Sequence, residues 1–346
     1  LAELNRESFP LSGYTIAPGE RRIVSLTAGH LYDTTEMNIP IMVVHGREPG
    51  PTLFVSAALH GDEVNGVEIV KRVIRSRRLK RIKGTLIAVP IVNVYGFNAR
   101  SRYLPDRRDL NRCFPGLEKG SLASRLAYAF MTEIVQKSTH GIDLHTGSAH
   151  RFNLPQIRAS LNNRETLRLA QAFEVPVLLN SSLRDGSLRQ AASDLDIPML
   201  LFEGGEALRF DEKVIRAGVR GVLNVMSEIG MISTHRKKEE SQGNSYIAKS
   251  SFWIRAPESG MVRGLRHIGR LVERDEVLAE VSDPFGVHRT PVKANRSGLI
   301  IGQNVLPYTN RGDALYHIAS FDNEESLEES LGDFDEYLEQ KIEENS

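Results

Sequence analysis

Between residues 23 and 230, short uncharged runs of strand length alternate with stretches whose apolar residues recur at helical spacing. Ile23 to Leu26 and Ile39 to Val44 read as short strands broken by turns. Pro49-Gly50-Pro51 is a firm turn, and it launches the strand that runs through Leu53 and Phe54 into His60. Asp62 to Asn65 can start a helix whose apolar face is Val67, Ile69, Val70, Val73 and Ile74. Gly84 to Val92 is a second buried strand, followed by a long loop from Asn93 to about Gly120. Leu122, Leu126, Ala129, Phe130 and Ile134 give Ser121 to Gln136 a helical stripe, and His140 to His145 is a short strand. Helices near 161–173 and 187–194 then alternate with strands near 176–179 and 197–203, before a last helix at about 211–230. This alternation predicts an α/β layer structure with a largely parallel sheet.

The pattern changes after residue 232. Ser233 to Ser251 is polar and suits a linker. From Phe252 to Ala319, short apolar runs are separated by Gly, Pro, Asp and Asn, which predicts an all-β segment. In 321–346, Leu327, Leu331, Phe334, Leu338 and Ile342 recur at helical spacing among acidic residues. That segment suits an amphipathic helix docking on this chain or on a second copy in a homo-oligomer.

Composition adds constraints. With 40% hydrophobic and 25% charged residues, the 346-residue chain fits a soluble protein with more than one domain. The single cysteine, Cys113, excludes an internal disulfide and fits a reducing, cytoplasmic setting. The first twenty residues lack the apolar core of a signal peptide. The longest apolar run, Thr85 to Phe97, is too short to span a bilayer. The net charge of zero conceals a split, because 321–346 holds eleven acidic residues and one Lys, leaving +10 over 1–320. A basic body favours an anionic substrate, although the tail also simply balances it. No nucleic-acid module is recognisable.

Candidate chemistry starts where the strand through Leu53 and Phe54 ends. His60 and Glu63 bracket a strand-to-helix junction, where ligands bind in open α/β sheets, and both residue types hold zinc. A second H-x-x-E at His45-Gly46-Arg47-Glu48 has no helix to fix it. His145 ends another strand and is the natural third ligand, with His140 and His150 as nearby alternatives. Glu203 closes the strand Ile197 to Phe202 beside Gly204 and Gly205, where a carboxylate can serve as general base. Glu206 fits a surface turn acid better. The long loop carries Arg100, Arg102, Arg107, Arg108 and Arg112, and clustered arginines can grip a carboxylate or an oxyanion. Cys113 has no evident paired base, so it reads as packing.

With these segments in view, the chain resembles the succinylglutamate desuccinylase/aspartoacylase family, a branch related to zinc carboxypeptidases. The matching pieces are H-G-D-E at 60–63, S-R-Y at 101–103, D-L-N-R-C-F-P-G at 109–116, D-L-H-T-G at 143–147 and F-E-G-G at 202–205. They stand in the family's order and span roughly residues 40–230. The resemblance implies a zinc-carboxypeptidase-like mixed sheet flanked by helices, and one Zn2+ per chain held by His60, Glu63 and His145. It also implies Glu203 as general base and Arg102 as the group that polarises the scissile carbonyl. Asn111 and Arg112 would then hold the substrate's carboxylate, and Asp109 would orient the first zinc histidine. The implied substrate is a small N-acyl amino acid, deacylated as by a desuccinylase or deacetylase.

The all-β segment resembles a biotinyl/lipoyl barrel-sandwich module in Ala256-Pro257-Glu258-Ser259-Gly260-Met261-Val262, Glu276 to Val281 and Ala294 to Ile301. Asp283-Pro284-Phe285-Gly286 stands where the carrier's Met-Lys-Met hairpin belongs, and Lys293 sits in a strand-like segment. The module therefore reads as a cap or oligomer element. The expected organisation is a catalytic domain at 1–235, a linker at 236–251, a β barrel-sandwich domain at 252–320 and an acidic amphipathic tail at 321–346. Two alternatives stay open: a metallocarboxypeptidase acting on short peptides, and a non-catalytic metabolite-binding protein.

Overall fold

A computed structural model describes residues 6–233 and 245–322, together with 331, 332 and 334. The first two predicted strands are parts of longer ones, β1 (Arg21–His30) and β2 (Glu36–His45), paired antiparallel. The β3 strand (Glu48–Ala57) feeds α1 (Asn65–Arg75), and β4 (Lys83–Val89) follows. After α2 (Leu122–Glu133) come β5 (His140–Gly147) and β6 (Arg151–Ala159). Next are α3 (Arg164–Phe173), β7 (Val177–Asn180), β8 (Met199–Glu206) and α4 (Glu212–Glu228). Three later strands, β9 (Ser250–Arg255), β10 (Gly298–Asn304) and β11 (Ala314–Ser320), belong to the C-terminal segment.

All of these strands join one sheet, whose main path is β9-β11-β10-β6-β8-β5-β3-β4-β2-β1. Along this main path the central four, β8-β5-β3-β4, are mutually parallel. Their neighbours β6 and β2 are antiparallel to them. The sheet is therefore mixed, and along its main path the largely parallel expectation holds for the middle, with a further parallel pairing of β6 and β7 off that path. Side chains alternate across β3: Leu53 and Val55 enter the core under α1, α3 and α4, while Phe54 enters the core under α2. Both faces of the central strands are thus covered, which accounts for their nearly unbroken apolar sequence.

Among the elements that differ from the sequence expectation, two bear on the site. The first is β6, whose alternation is masked by Asn153, Pro155, Gln156 and Arg158. Its outer edge is shared: residues 151–153 pair with β10 and residues 156–159 pair with β7. Pro155 falls between the two partners, where an absent N–H breaks no ladder. The second is Val94–Ala99, a short helix inside the predicted loop, capped by Asn93 accepting from Gly96 N.

The C-terminal segment carries a core of its own, including Ile254, Leu278, Val292, Leu315 and Ile318. It also has a separate four-stranded sheet of Gly260–Gly264, Val277–Ser282, Arg289–Lys293 and Tyr308–Thr309. Its remaining strands extend the main sheet through β10 and β6. Tyr246–Ala248, inside the predicted linker, is a strand parallel to β7. Residues 234–244 and most of the acidic tail lie outside the described residues. Of the tail, Leu331 and Phe334 are buried, and Arg220 stacks on Phe334 at 5.1 Å. No helix among the described residues is long and apolar enough to cross a membrane.

Candidate active site

The strand β3 ends in a turn that aims two side chains. Ala58 takes a left-handed conformation (φ 48°), and the amides of Val92 and Asn93 donate to the carbonyls of Ala57 and Ala58. Such a conformation in a non-glycine residue persists only where surroundings enforce it. Gly61 packs so closely on the Val94–Ala99 helix that an added Cβ would lie 2.0 Å from Gly96 C. These contacts place His60 and Glu63 at the carboxyl edge of the sheet, beside His145 at the end of β5. Donor atoms of the three residues lie within 4.8 Å of one another, and all three residues are buried.

The hydrogen bonds test whether the cluster suits a metal ion. His60 Nε2 lies 3.0 Å from Asp109 Oδ1, and His145 Nε2 lies 2.7 Å from Asp143 Oδ2. A carboxylate only accepts, so each Nε2 donates, and a neutral ring then turns its Nδ1 lone pair inward. Yet His60 Nδ1 lies 2.8 Å from Glu63 Oε1, and His145 Nδ1 lies 2.7 Å from Glu63 Oε2. With neutral rings, acceptor faces acceptor on both sides of the Glu63 carboxylate. A cation, either two protons or a metal ion, resolves both clashes. Two imidazole nitrogens and a carboxylate are a fitting donor set for zinc or a similar divalent ion.

The charges agree with that arrangement. Burial works against protonation of His60 and His145, but the surrounding carboxylates outweigh it and raise both, His145 well above the ordinary range. Burial likewise opposes ionisation of Glu63, yet the two histidines hold its carboxyl far below its ordinary value. Arg102 donates to Glu63 Oε1 at 3.2 Å and to Asp109 Oδ2 at 3.0 Å, which pins its guanidinium beside the cluster.

A cavity of about 690 Å³ opens on this cluster. His60, Glu63, His145, Arg102, Asp109, Asn111, Arg112 and Glu203, the eight residues singled out in the sequence, all line it. Glu203 lies directly opposite His145 in the β8–β5 register. Asn111 Oδ1 accepts from Leu188 N at 2.9 Å, which leaves its amide N–H groups for a ligand. The alternative residues lie outside the metal cluster. His45 is buried against Thr85 and Glu7, and His140 pairs with Thr139 and Glu165. His150 lines the cavity, but its exposed side chain is not part of the metal cluster. Glu206 accepts from His150 N and is largely covered.

Sequence reasoning missed several lining residues. Asp143 sits two residues before His145 in the D-L-H-T-G run, and that spacing is the one available signal. Arg158 was hidden by the unrecognised strand β6. Trp253, Asn304 and Leu306 arrive from the C-terminal segment through sheet continuity. The Trp253 ring stacks on His317 with centroids 4.6 Å apart and carries the Arg151 guanidinium at 5.3 Å.

Residues 49–229 match the succinylglutamate desuccinylase/aspartoacylase catalytic domain. The chain belongs to that family. A curated relative, the N-alpha-acetyl-L-2,4-diaminobutyric acid deacetylase of Halomonas elongata, is 26% identical over 313 residues, or 85% of this chain and 87% of the relative. The fold is also that of a succinylglutamate desuccinylase/aspartoacylase from Rhodobacter sphaeroides, with TM-score 0.78, 23% identity and coverage of 92% and 97% of the two chains. Product-bound ectoine utilization protein EutE (DoeB) from Ruegeria pomeroyi gives TM-score 0.76 and 22% identity, covering 91% of this chain and 96% of that one.

Proposed function

We propose that this protein is a zinc-dependent hydrolase that removes the acyl group from a small N-acyl amino acid. The observation that carries the proposal is one cavity lined by three residues that could hold a metal ion, His60, Glu63 and His145, together with Arg102, Asn111, Arg112 and Glu203. The deacetylase name of the Halomonas relative supports the same reaction class.

His60, Glu63 and His145 would hold the zinc ion, which would supply Lewis acidity for an amide carbonyl and a water. Glu203 accepts the water's proton as the carbon–oxygen bond forms, then delivers it to the leaving amine nitrogen. Arg102 donates to the carbonyl oxygen as negative charge develops there. Its two carboxylate contacts fix the guanidinium beforehand, so little reorganisation is needed. Arg112 and the free amide of Asn111 hold the substrate's α-carboxylate and so orient the scissile bond. Asp109 and Asp143 keep both histidine rings turned with Nδ1 toward Glu63, the orientation in which the three residues would hold the ion.

The test is a hydrolysis screen over N-acyl amino acids, with metal quantified per chain. Chelation should abolish turnover, and Glu203→Gln should lower kcat by about 10²-fold or more with metal retained. Full-rate hydrolysis in either case would remove the proposal.

A further inference from the structure

In the main sheet β8 lies between β6 and β5, yet β5 and β6 follow one another in the chain. The three residues that join them, Ser148, Ala149 and His150, therefore cross the carboxyl end of β8, and all three line the cavity. Glu206 is the last residue of β8, and its carboxylate accepts from His150 N at 3.1 Å. Between Glu203 and Glu206 the pairing with β5 slips, so that three steps along β8 match two along β5. Bulges of this kind re-aim side chains beside active sites. The Glu206 side chain is only 11% exposed, and Arg209 Nε braces it at 3.3 Å from Oε2. From the other side, Val305 N in the C-terminal segment donates to His150 O at 2.9 Å. Between these two bonds His150 takes a left-handed conformation, φ 65°.

Glycine would take that conformation without strain, whereas a residue with a side chain holds it only where neighbours enforce it. The enforced residue carries an imidazole that is 58% exposed at the cavity wall. Its Nδ1 lies 3.9 Å from Glu206 Oε1, beyond hydrogen-bond range. Among the described residues, then, the backbone of His150 is bonded on both sides while its ring has no hydrogen-bond partner. A side chain aimed by its backbone and left unpaired is available to a ligand. We propose that His150 hydrogen-bonds the outer end of a substrate seated at His60, Glu63 and His145, and that Glu206 is the positioning residue that aims it there. The neutral ring offers one donor and one acceptor, so it suits a polar group of the substrate. This inference rests on the hydrolase reading.

The experiment uses the metal-loaded full chain and the N-acyl amino acid that it hydrolyses fastest in the screen. His150→Gly keeps the left-handed backbone and removes the ring, so KM should rise about tenfold, the size of one hydrogen bond, with a smaller change in kcat. His150→Asn tolerates the same conformation and keeps a polar group, and it should restore part of the loss. Glu206→Met keeps the length of the side chain without the acceptor and should raise KM in the same way. Glu206→Gln can still accept from His150 N and should stay near the wild-type value. Because the two residues act through one contact, the double variant His150→Gly/Glu206→Met should be no worse than His150→Gly alone. A KM within about twofold of wild type in His150→Gly overturns the contact, and losses that multiply in the double variant overturn the positioning role. Should Glu206→Met fail to fold, a His150→Gly loss that His150→Asn does not rescue overturns the proposal. A wild-type chain that hydrolyses no N-acyl amino acid refutes the hydrolase reading and this inference with it. Turnover with KM indifferent to His150→Gly refutes this inference alone.

Discussion

Replacing Asp143 with asparagine isolates the charge behind the second candidate metal histidine. Asp143 is fully buried, accepting from Ser56 Oγ at 2.7 Å and facing His145 Nε2 at 2.7 Å. In Asp143→Asn the carbonyl oxygen can still accept from Nε2, and the new amide can donate to Ser56 Oγ, whose hydroxyl rotates. Packing and hydrogen-bond count are thus kept while the negative charge is lost. Substitutions at such positions typically cost 10–100-fold in metal affinity, about 1.4–2.7 kcal/mol. The side chain is only 1% exposed, against 17% for Asp109 behind His60, so its charge acts through a less screened medium. The expected loss is therefore near ~100-fold for Asp143→Asn and smaller for Asp109→Asn. Competition with a chromogenic zinc chelator at pH 7.5 measures both, and urea midpoints of the metal-free proteins confirm the fold. An unchanged affinity in a folded Asp143→Asn protein, or a larger loss in Asp109→Asn, would refute the reasoning.

Three further outcomes are expected. Arg102→Gln should lower kcat by about 10²–10³-fold with metal stoichiometry intact, and a loss within about tenfold would deny Arg102 its place at the carbonyl. The value of about 3 at His317 lies below the ordinary 6.5, so its contribution to stability is complete above about 6.5 and is lost as pH falls toward about 3. His317→Phe keeps the ring against Trp253 but does not titrate. Its stability between pH 6 and pH 4 should fall less steeply, by up to ~1.4 kcal/mol per pH unit, and matching slopes in urea titrations would contradict this. Gly302→Ala places a Cβ 2.8 Å from Asn153 Oδ1 and 3.1 Å from His317 Cβ, and should cost about 1–3 kcal/mol. An unaltered urea midpoint would show that the neighbouring strands yield freely.

The sequence was most informative where one physical signal dominated. A buried strand that runs into a polar residue brings that residue near the sheet edge. This logic pointed to His60, His145 and Glu203 without contact information, although β5 runs on to Gly147 and β8 to Glu206. The apolar middle strands were legible because both of their faces are covered. By contrast, β6 carries buried polar residues, Asn153 and Gln156, that blur its alternation, and a proline that argues against a central strand. The Val94–Ala99 helix is only six residues long and includes Gly96, so no periodicity marks it. Trp253 was beyond reach for another reason. Its place in the cavity depends on strands far apart in sequence joining one sheet, which no local pattern encodes.

That shared sheet also sets a timetable for the growing chain. All three candidate metal ligands exist once residue 145 is made, and β6 is complete at Ala159. The strand that covers the first part of its edge ends at Asn304, so at typical synthesis rates that edge waits roughly 7–30 s for its partner. An open strand edge in a nascent chain invites pairing with another chain. Pro155, together with Arg151 and Arg158, lies on this strand, and proline and charge are what keep such edges from pairing wrongly. The residues that obscured β6 in the sequence thus suit a strand that stands unpartnered on the ribosome.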